Sequence, residues 1–191
     1  MTGKEDVDRR VKRTKGRLHS ALISLIMESD YDKITVQDII DRADTGRSTF
    51  YSHYETKDDL LISGLDHLTA DIELHMAADP GADDAILPTL GIFHHISENH
   101  ALFKRLIGTR GIDIVHKAAF DTFTAIALSA IERRAADGEQ SEIPPEARAV
   151  FAAGSFMAFI GWWLDNAMPY GPDKINDMYR QMTEGSVRAR T

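Results

Sequence analysis

The chain has 191 residues, 43% of them hydrophobic, and no cysteine, so it can bury one sizeable core, while disulfides, thiolate nucleophiles and Cys-based zinc sites are excluded. The net charge of -8 argues against nucleic acid when taken whole, but residues 1–59 hold eleven Lys and Arg against twelve Asp and Glu, and the remainder eleven against eighteen. No early apolar stretch reads as a signal peptide, and the uncharged run Ala149 to Leu164 is shorter than the roughly 20 residues of a spanning helix, so a cytoplasmic protein without a membrane partner is expected.

No segment alternates apolar and polar residues over strand length, and helical spacing recurs throughout. An all-α fold of about nine helices is predicted. Leu18, Leu22, Leu25 and Ile26 line one face of the first helix. Arg9, Arg10, Lys12, Arg13, Lys15 and Arg17 form a basic arm at its start with no acid among them. Asp30-Tyr31-Asp32-Lys33 ends that helix. Thr35 then reads as an N-cap with Asp38 at the capping-box position. Val36, Ile39 and Ile40 supply the buried side of the second helix. Asp44-Thr45-Gly46 is a turn, and Arg47 to Tyr54 is the third helix, with Phe50 as its core plug. Thr56 and Asp59 repeat the capping pattern and open a fourth helix, which Leu61, Leu65, Leu68 and Ile72 carry to about His75.

Asp79-Pro80-Gly81 is a break. Ala85 to Asn99 is the fifth helix, Ala101 to Ile107 the sixth, and Ile112 to Ala136 the seventh. A polar loop from Asp137 to Pro144 follows. Pro145 to Asn166 is the eighth helix, with Pro145 suited to its first turn. Pro172 to about Arg188 is the ninth. The expected division is a helix-turn-helix domain with its basic arm over residues 1–56, and a helical domain over 57–191.

The second and third helices with their tight turn form a helix-turn-helix, which lays its second helix in the DNA major groove. Such a helix needs short polar or basic groups on one face and apolar backing on the other. Arg47 can pair bidentately with guanine O6 and N7, and Thr49 can meet a base edge or a thymine methyl. Tyr51 and His53 are long enough to reach phosphate. Thr35 and Lys57 sit at helix N-termini, where free N–H groups favour phosphate oxygens. Local field, not global charge, governs phosphate contact, and the basic arm supplies it.

The segments RTKGRLHSALISLI, ITVQDIIDRA and RSTFYSHYETKDDLL closely resemble the N-terminal domain of TetR-family transcriptional regulators. GSFMAFIGWWLDNAMPYGPDKINDMY resembles the end of one C-terminal subgroup of that family. The resemblance implies a homodimeric regulator, usually a repressor, bound to a double-stranded operator. It implies phosphate contacts for Tyr51, His53 and Lys57, and base approach for Arg47, Ser48 and Thr49. The turn departs from the family pattern of Ala-Gly-apolar-Ser or Asn, because here it reads Ala43-Asp44-Thr45-Gly46. Thr45 is the candidate to replace the missing Ser or Asn contact.

The resemblance further implies a small-molecule effector cavity in the C-terminal region. The candidate lining is Phe93, His94, Phe103, Phe120, Phe123 and Trp162. Phe156, Phe159, Ile160, Trp163, Met168, Ile175, Met178 and Met182 are the candidate dimer stripe, since two helices from each subunit can form a four-helix interface. Two histidine sets, His94 with His95 and His100, and His67 with Asp71 and His75, lack a recognised metal-binding signature, so no metal or other cofactor is expected. No nucleophile–base pattern is discernible, and no enzyme activity is expected. A helical small-molecule enzyme and a helical interaction module, each with a coincidental helix-turn-helix, are the alternatives.

Overall fold

A computed structural model describes residues 2–64 and 86–188. Among these there are nine α-helices, one 3-10 turn and no strand. The helices are α1 (Thr2–Glu28), α2 (Val36–Arg42), α3 (Arg47–Tyr51), α4 (Lys57–Ile62), α5 (Thr89–Glu98), α6 (His100–Leu106), α7 (Arg110–Ala136), α8 (Pro145–Asp165) and α9 (Pro172–Arg188). The 3-10 turn is Tyr31–Lys33. Two compact units divide the chain: Met1–His67 with His100–Val115, and Leu68–Asn99 with His116–Thr191. The expected apolar run Leu65, Leu68 and Ile72, the break at Asp79-Pro80-Gly81, and the His67, Asp71 and His75 set lie outside the described residues.

The first unit is built on the apolar face of α1. Leu18, Leu22 and Ile26 recur at helical spacing and are fully buried. They share one core with Tyr31, Ile34, Ile39, Ile40, Phe50, Leu60, Leu61 and Leu106. Each fully buried aliphatic side chain here contributes about 1.5–3 kcal/mol relative to exposure. A boundary after residue 56 would fall between Phe50 and the two leucines of α4, which occupy that same core. Residues 100–115 return to it through Leu106, Leu102, Ile112, Ile114 and Val115.

Both threonine capping boxes form. Thr35 Oγ1 accepts from the Asp38 N–H at 3.2 Å, and the Asp38 carboxylate accepts from the Thr35 N–H at 2.8 Å. Thr56 and Asp59 repeat this at 3.1 and 2.9 Å. Four orphan N–H groups are thereby satisfied at two helix starts. Regular helix in α3 stops at Tyr51, three residues earlier than expected, though the Tyr54 N–H still donates to the Phe50 carbonyl at 3.0 Å. The start of α7 lies at Arg110, two residues before the predicted Ile112. Thr109 Oγ1 accepts from the Gly111 N–H at 3.1 Å, and the Asp32 carboxylate accepts from the Arg110 N–H at 3.3 Å. A side chain 78 residues away in sequence thus extends the helix.

The second unit holds α5, most of α7, α8 and α9. Pro88 flanks α5 rather than sitting inside it, with φ -78° and ψ 63°. The α5 and α9 helices pack together, and Thr89 Oγ1 donates to Asn176 Oδ1 at 2.7 Å in the buried seam. Aromatic rings fill the core. Phe93 meets Phe156 and Trp163 edge-on, both at 5.3 Å between centroids. Such pairs add about 0.5–1.5 kcal/mol beyond area burial. Gly138, at φ 104°, ends α7 in a conformation that L side chains rarely adopt. By length and composition alone α7 and α8 would each suffice to cross a membrane, although the uncharged run in α8 is short. A packed core helix passes the same test, and α8 buries Ala149, Ala153, Phe156, Ile160 and Trp163.

Candidate nucleic-acid interface

The helix-turn-helix is held from behind. Arg42, at the end of α2, donates to Ser24 and makes a fork to Glu28 at 2.9 and 2.7 Å. A planar guanidinium matched to a carboxylate in this way fixes geometry as well as charge. The fork pulls the pKa of Glu28 down and that of Arg42 up. This pins α2 to α1.

The turn follows. Asp44 adopts φ 48°, the left-handed region that Asp tolerates better than most residues. Arg17 Nη2 donates to the Asp44 carbonyl at 3.0 Å and to its carboxylate at 3.3 Å. Gly46 is the N-cap of α3, in extended conformation with φ -83°, and offers no side-chain cap. The unusual Asp-Thr-Gly sequence therefore builds the expected turn, and one arginine of the basic run supports it.

On α3, Phe50 is fully buried and Tyr54 nearly so, with ring centroids 5.9 Å apart. They fix the rotation of the helix. Arg47, Ser48 and Tyr51 are exposed in consequence, and Thr49 and His53 are half-buried. Tyr51 is 52% exposed while its ring edge rests on Phe50. Thr35 is exposed at the start of α2. Arg9, Arg10, Lys12, Arg13, Lys15 and Arg17 are all exposed along α1.

Two residues of the expected DNA-contact set are engaged or enclosed within the unit itself. Lys57 Nζ donates to the carbonyls of Tyr31 and Ile34, each at 2.7 Å, with Asp32 O at 3.5 Å. It also lies 4.4 Å from the centre of the Tyr31 ring. An ammonium has three N–H donors, and two of them make close bonds to the Tyr31 and Ile34 carbonyls. Burial pulls the Lys57 pKa down, and the carboxylates of Asp58 and Asp32 oppose that shift. Lys57 thus clamps α4 to the 3-10 turn. Thr45 Oγ1 is buried without a hydrogen-bond partner in the turn.

Sequence reasoning missed what surrounds Lys57. Tyr31 is 1% exposed, and its hydroxyl donates to Asp58 at 2.5 Å. Burial first, then that bond, push its ionisation well above the usual tyrosine range, so it stays a donor. Arg110 Nη2 donates to the other Asp58 oxygen at 2.6 Å. The sequence signal was a lone aromatic inside an acidic turn, which spacing alone reads as solvent-facing.

This geometry has relatives. Residues 18–63 match the family model described as bacterial regulatory proteins, tetR family. Residues 86–185, more than half of the chain, match the one described as transcriptional regulator C-terminal region. The chain belongs to the TetR family of transcriptional regulators. A TetR transcriptional regulator from Streptococcus agalactiae 2603V is 28% identical, with a TM-score of 0.57 over 94% of this chain and 98% of that one. A putative TetR-family transcriptional regulator from Syntrophomonas wolfei str. Goettingen shares the fold, with a TM-score of 0.62 at 14% identity over 94% and 97% of the two chains. The HTH-type transcriptional regulator YxbF of Bacillus subtilis (strain 168) is 37% identical over 73 residues, 38% of this chain. The match spans only 19% of that relative's length.

As a TetR-family regulator the chain is a helix-turn-helix DNA-binding protein and not an enzyme. Of the expected effector residues, Phe93, His94, Phe120, Phe123 and Trp162 belong to the second unit and Phe103 to the first. Phe93 and Phe123 are packed into the aromatic core. His94, with Asp173 at 3.7 Å, and Phe120 are half-buried. Trp162 is 41% exposed and stacks on Phe159 at 5.6 Å. No group of three or more His, Asp or Glu among the described residues is placed to hold a metal ion.

The expected dimer stripe is also divided. Phe156, Trp163 and Ile175 are fully buried and Ile160 nearly so, which makes them core of a single chain. Phe159, Met168 and Met178 are half-buried, and Met182 is exposed. The sequence reading missed Phe151, which is 74% exposed. Positions 151, 158 and 162 share one helix face, and that spacing could have found it.

Proposed function

We propose that this TetR-family regulator acts in the cytoplasm as a homodimeric repressor on a palindromic operator, and that a small-molecule effector releases it. One observation carries the reading. Phe50 locks α3 into the core while Arg47, Ser48 and Tyr51 stay exposed, with six exposed basic residues on α1 of the same unit. Arg47 and Ser48, with the half-exposed Thr49, are the proposed base-reading group. Thr35, Tyr51 and His53 are the proposed phosphate contacts.

Dimerisation supplies the two-fold symmetry that a palindrome requires. Exposed Phe151, Trp162 and Met182, with half-buried Phe159 and Met178, are its proposed apolar surface. The effector is assigned to the second unit, where His94 and Phe120 keep exposed surface. Its binding shifts the dimer toward a state with wrongly spaced reading heads. Footprinting of the full chain on its own genomic DNA tests this. A symmetric protected site is expected, and scattered or absent protection overturns the operator assignment.

A further inference from the structure

Arg47 is tied by a hydrogen bond to the neighbouring helix. Arg47 Nη2 donates to Gln37 Oε1 at 3.1 Å, and Gln37 Nε2 donates to Asp41 Oδ1 at 2.8 Å. Arg47 opens α3, while Gln37 and Asp41 stand one turn apart on α2. All three side chains are at the surface.

The relay has only one possible direction. A guanidinium only donates and a carboxylate only accepts. The amide between them must turn its oxygen to Arg47 and its nitrogen to Asp41. The Asp41 carboxylate polarises the amide and strengthens its oxygen as an acceptor. One N–H of Arg47 is used, and four remain, enough for guanine O6 and N7 together. Gln37 thus bridges Asp41 on its own helix to Arg47 on the next.

We propose that Gln37, held by Asp41, is a positioning residue that sets which base pair Arg47 reads. This rests on the DNA-reading role proposed above for Arg47. Preorganisation reduces the rotamer freedom lost on binding, and Arg is the costliest class of side chain to immobilise. Its effect falls on discrimination at one position, because a loosely held guanidinium finds phosphate or a wrong base almost as well. An ordinary i,i+4 surface bond with Arg47 resting nearby would instead leave base discrimination unchanged in Gln37→Ala.

The test uses the full chain and a library of randomised duplex DNA. Native protein, Gln37→Ala, Asp41→Ala, Arg47→Ala and the Gln37→Ala/Arg47→Ala double variant are each selected on it. The winning site and its single-base variants are then titrated, with a scrambled duplex as control. Gln37→Ala is expected to lower discrimination about threefold to tenfold at the base pair that Arg47→Ala affects. Asp41→Ala should affect the same pair less. Scrambled-duplex affinity and thermal midpoint should not move. In the Arg47→Ala background, Gln37→Ala should add nothing. An unchanged Gln37→Ala profile, a loss at a different pair, or additive losses in the double variant each overturn the proposal. If the native chain selects no sequence, the operator reading itself fails, a result distinct from these.

Discussion

At the scale of single residues, Lys57 shows how local spacing and tertiary position diverge. Its place after Thr56 suits a helix N-terminus facing phosphate, but the Tyr31 and Ile34 carbonyls take its donors. Lys57→Ala is therefore expected to lower stability by about 1–2 kcal/mol, read as a lower urea midpoint. The salt slope of DNA binding should stay unchanged, where a phosphate contact would lower it by about one unit. Glu28 and Asp38 give the pH dependence. Arg42 depresses the pKa of Glu28, and the hydrogen bonds from Thr35 depress that of Asp38. Groups with depressed folded pKa values stabilise above their unfolded values and cease to as pH falls through the folded ones. Stability should thus fall as pH drops below about 4.5, the ordinary Glu value. Glu28→Gln should flatten that acid limb in a thermal-melt series.

At the scale of elements, the caps were legible because they are local. Thr35 with Asp38 and Thr56 with Asp59 need only three residues of sequence, and both boxes formed. The end of α3 and the start of α7 were less legible. The α7 start depends on Asp32, which no local window contains. The end of α8 is more strained than sequence suggests. Ala167 and Met168 both adopt left-handed φ, at 57° and 51°. The Met168 N–H reaches the Trp163 carbonyl at 2.8 Å, and Trp163 Nε1 donates to the Tyr170 carbonyl at 2.9 Å, which together hold the strained pair in place. Ala167→Gly should raise stability by about 0.5–1 kcal/mol, because glycine adopts this conformation without a Cβ penalty. A calorimetric midpoint that does not rise would show the strain is relieved otherwise. Gly111 makes the opposite case. A Cβ there would stand 3.0 Å from the buried Tyr31 ring and 2.7 Å from Leu106 Cδ2. Gly111→Ala should destabilise by about 1–3 kcal/mol, measured by chemical unfolding.

At the scale of the whole molecule, the proposed dimer now depends on Phe151 and Trp162 rather than on Phe156 and Trp163. Phe151→Glu with Trp162→Glu should yield a monomer in sedimentation velocity, with retained helical circular dichroism. A double variant that sediments as a dimer would place the interface elsewhere. The same change should weaken binding to a two-half-site duplex far more than to a single half-site, because the second contact then loses its effective concentration.

Sequence alone determined the helical class, the helix order, the caps and the polar face of α3, since periodicity and capping act within a few residues. It also determined that Phe50 points inward, because the apolar pattern leaves that residue no other side. Tertiary structure decided which polar groups were free to act. Lys57 and Tyr31 found partners far away in the chain, and Gln37 met Arg47 only when two helices came together. It also separated the aromatic residues of the C-terminal half into core and surface. An amphipathic pattern names the apolar side of a helix, but only packing tells how much of that side a single chain covers.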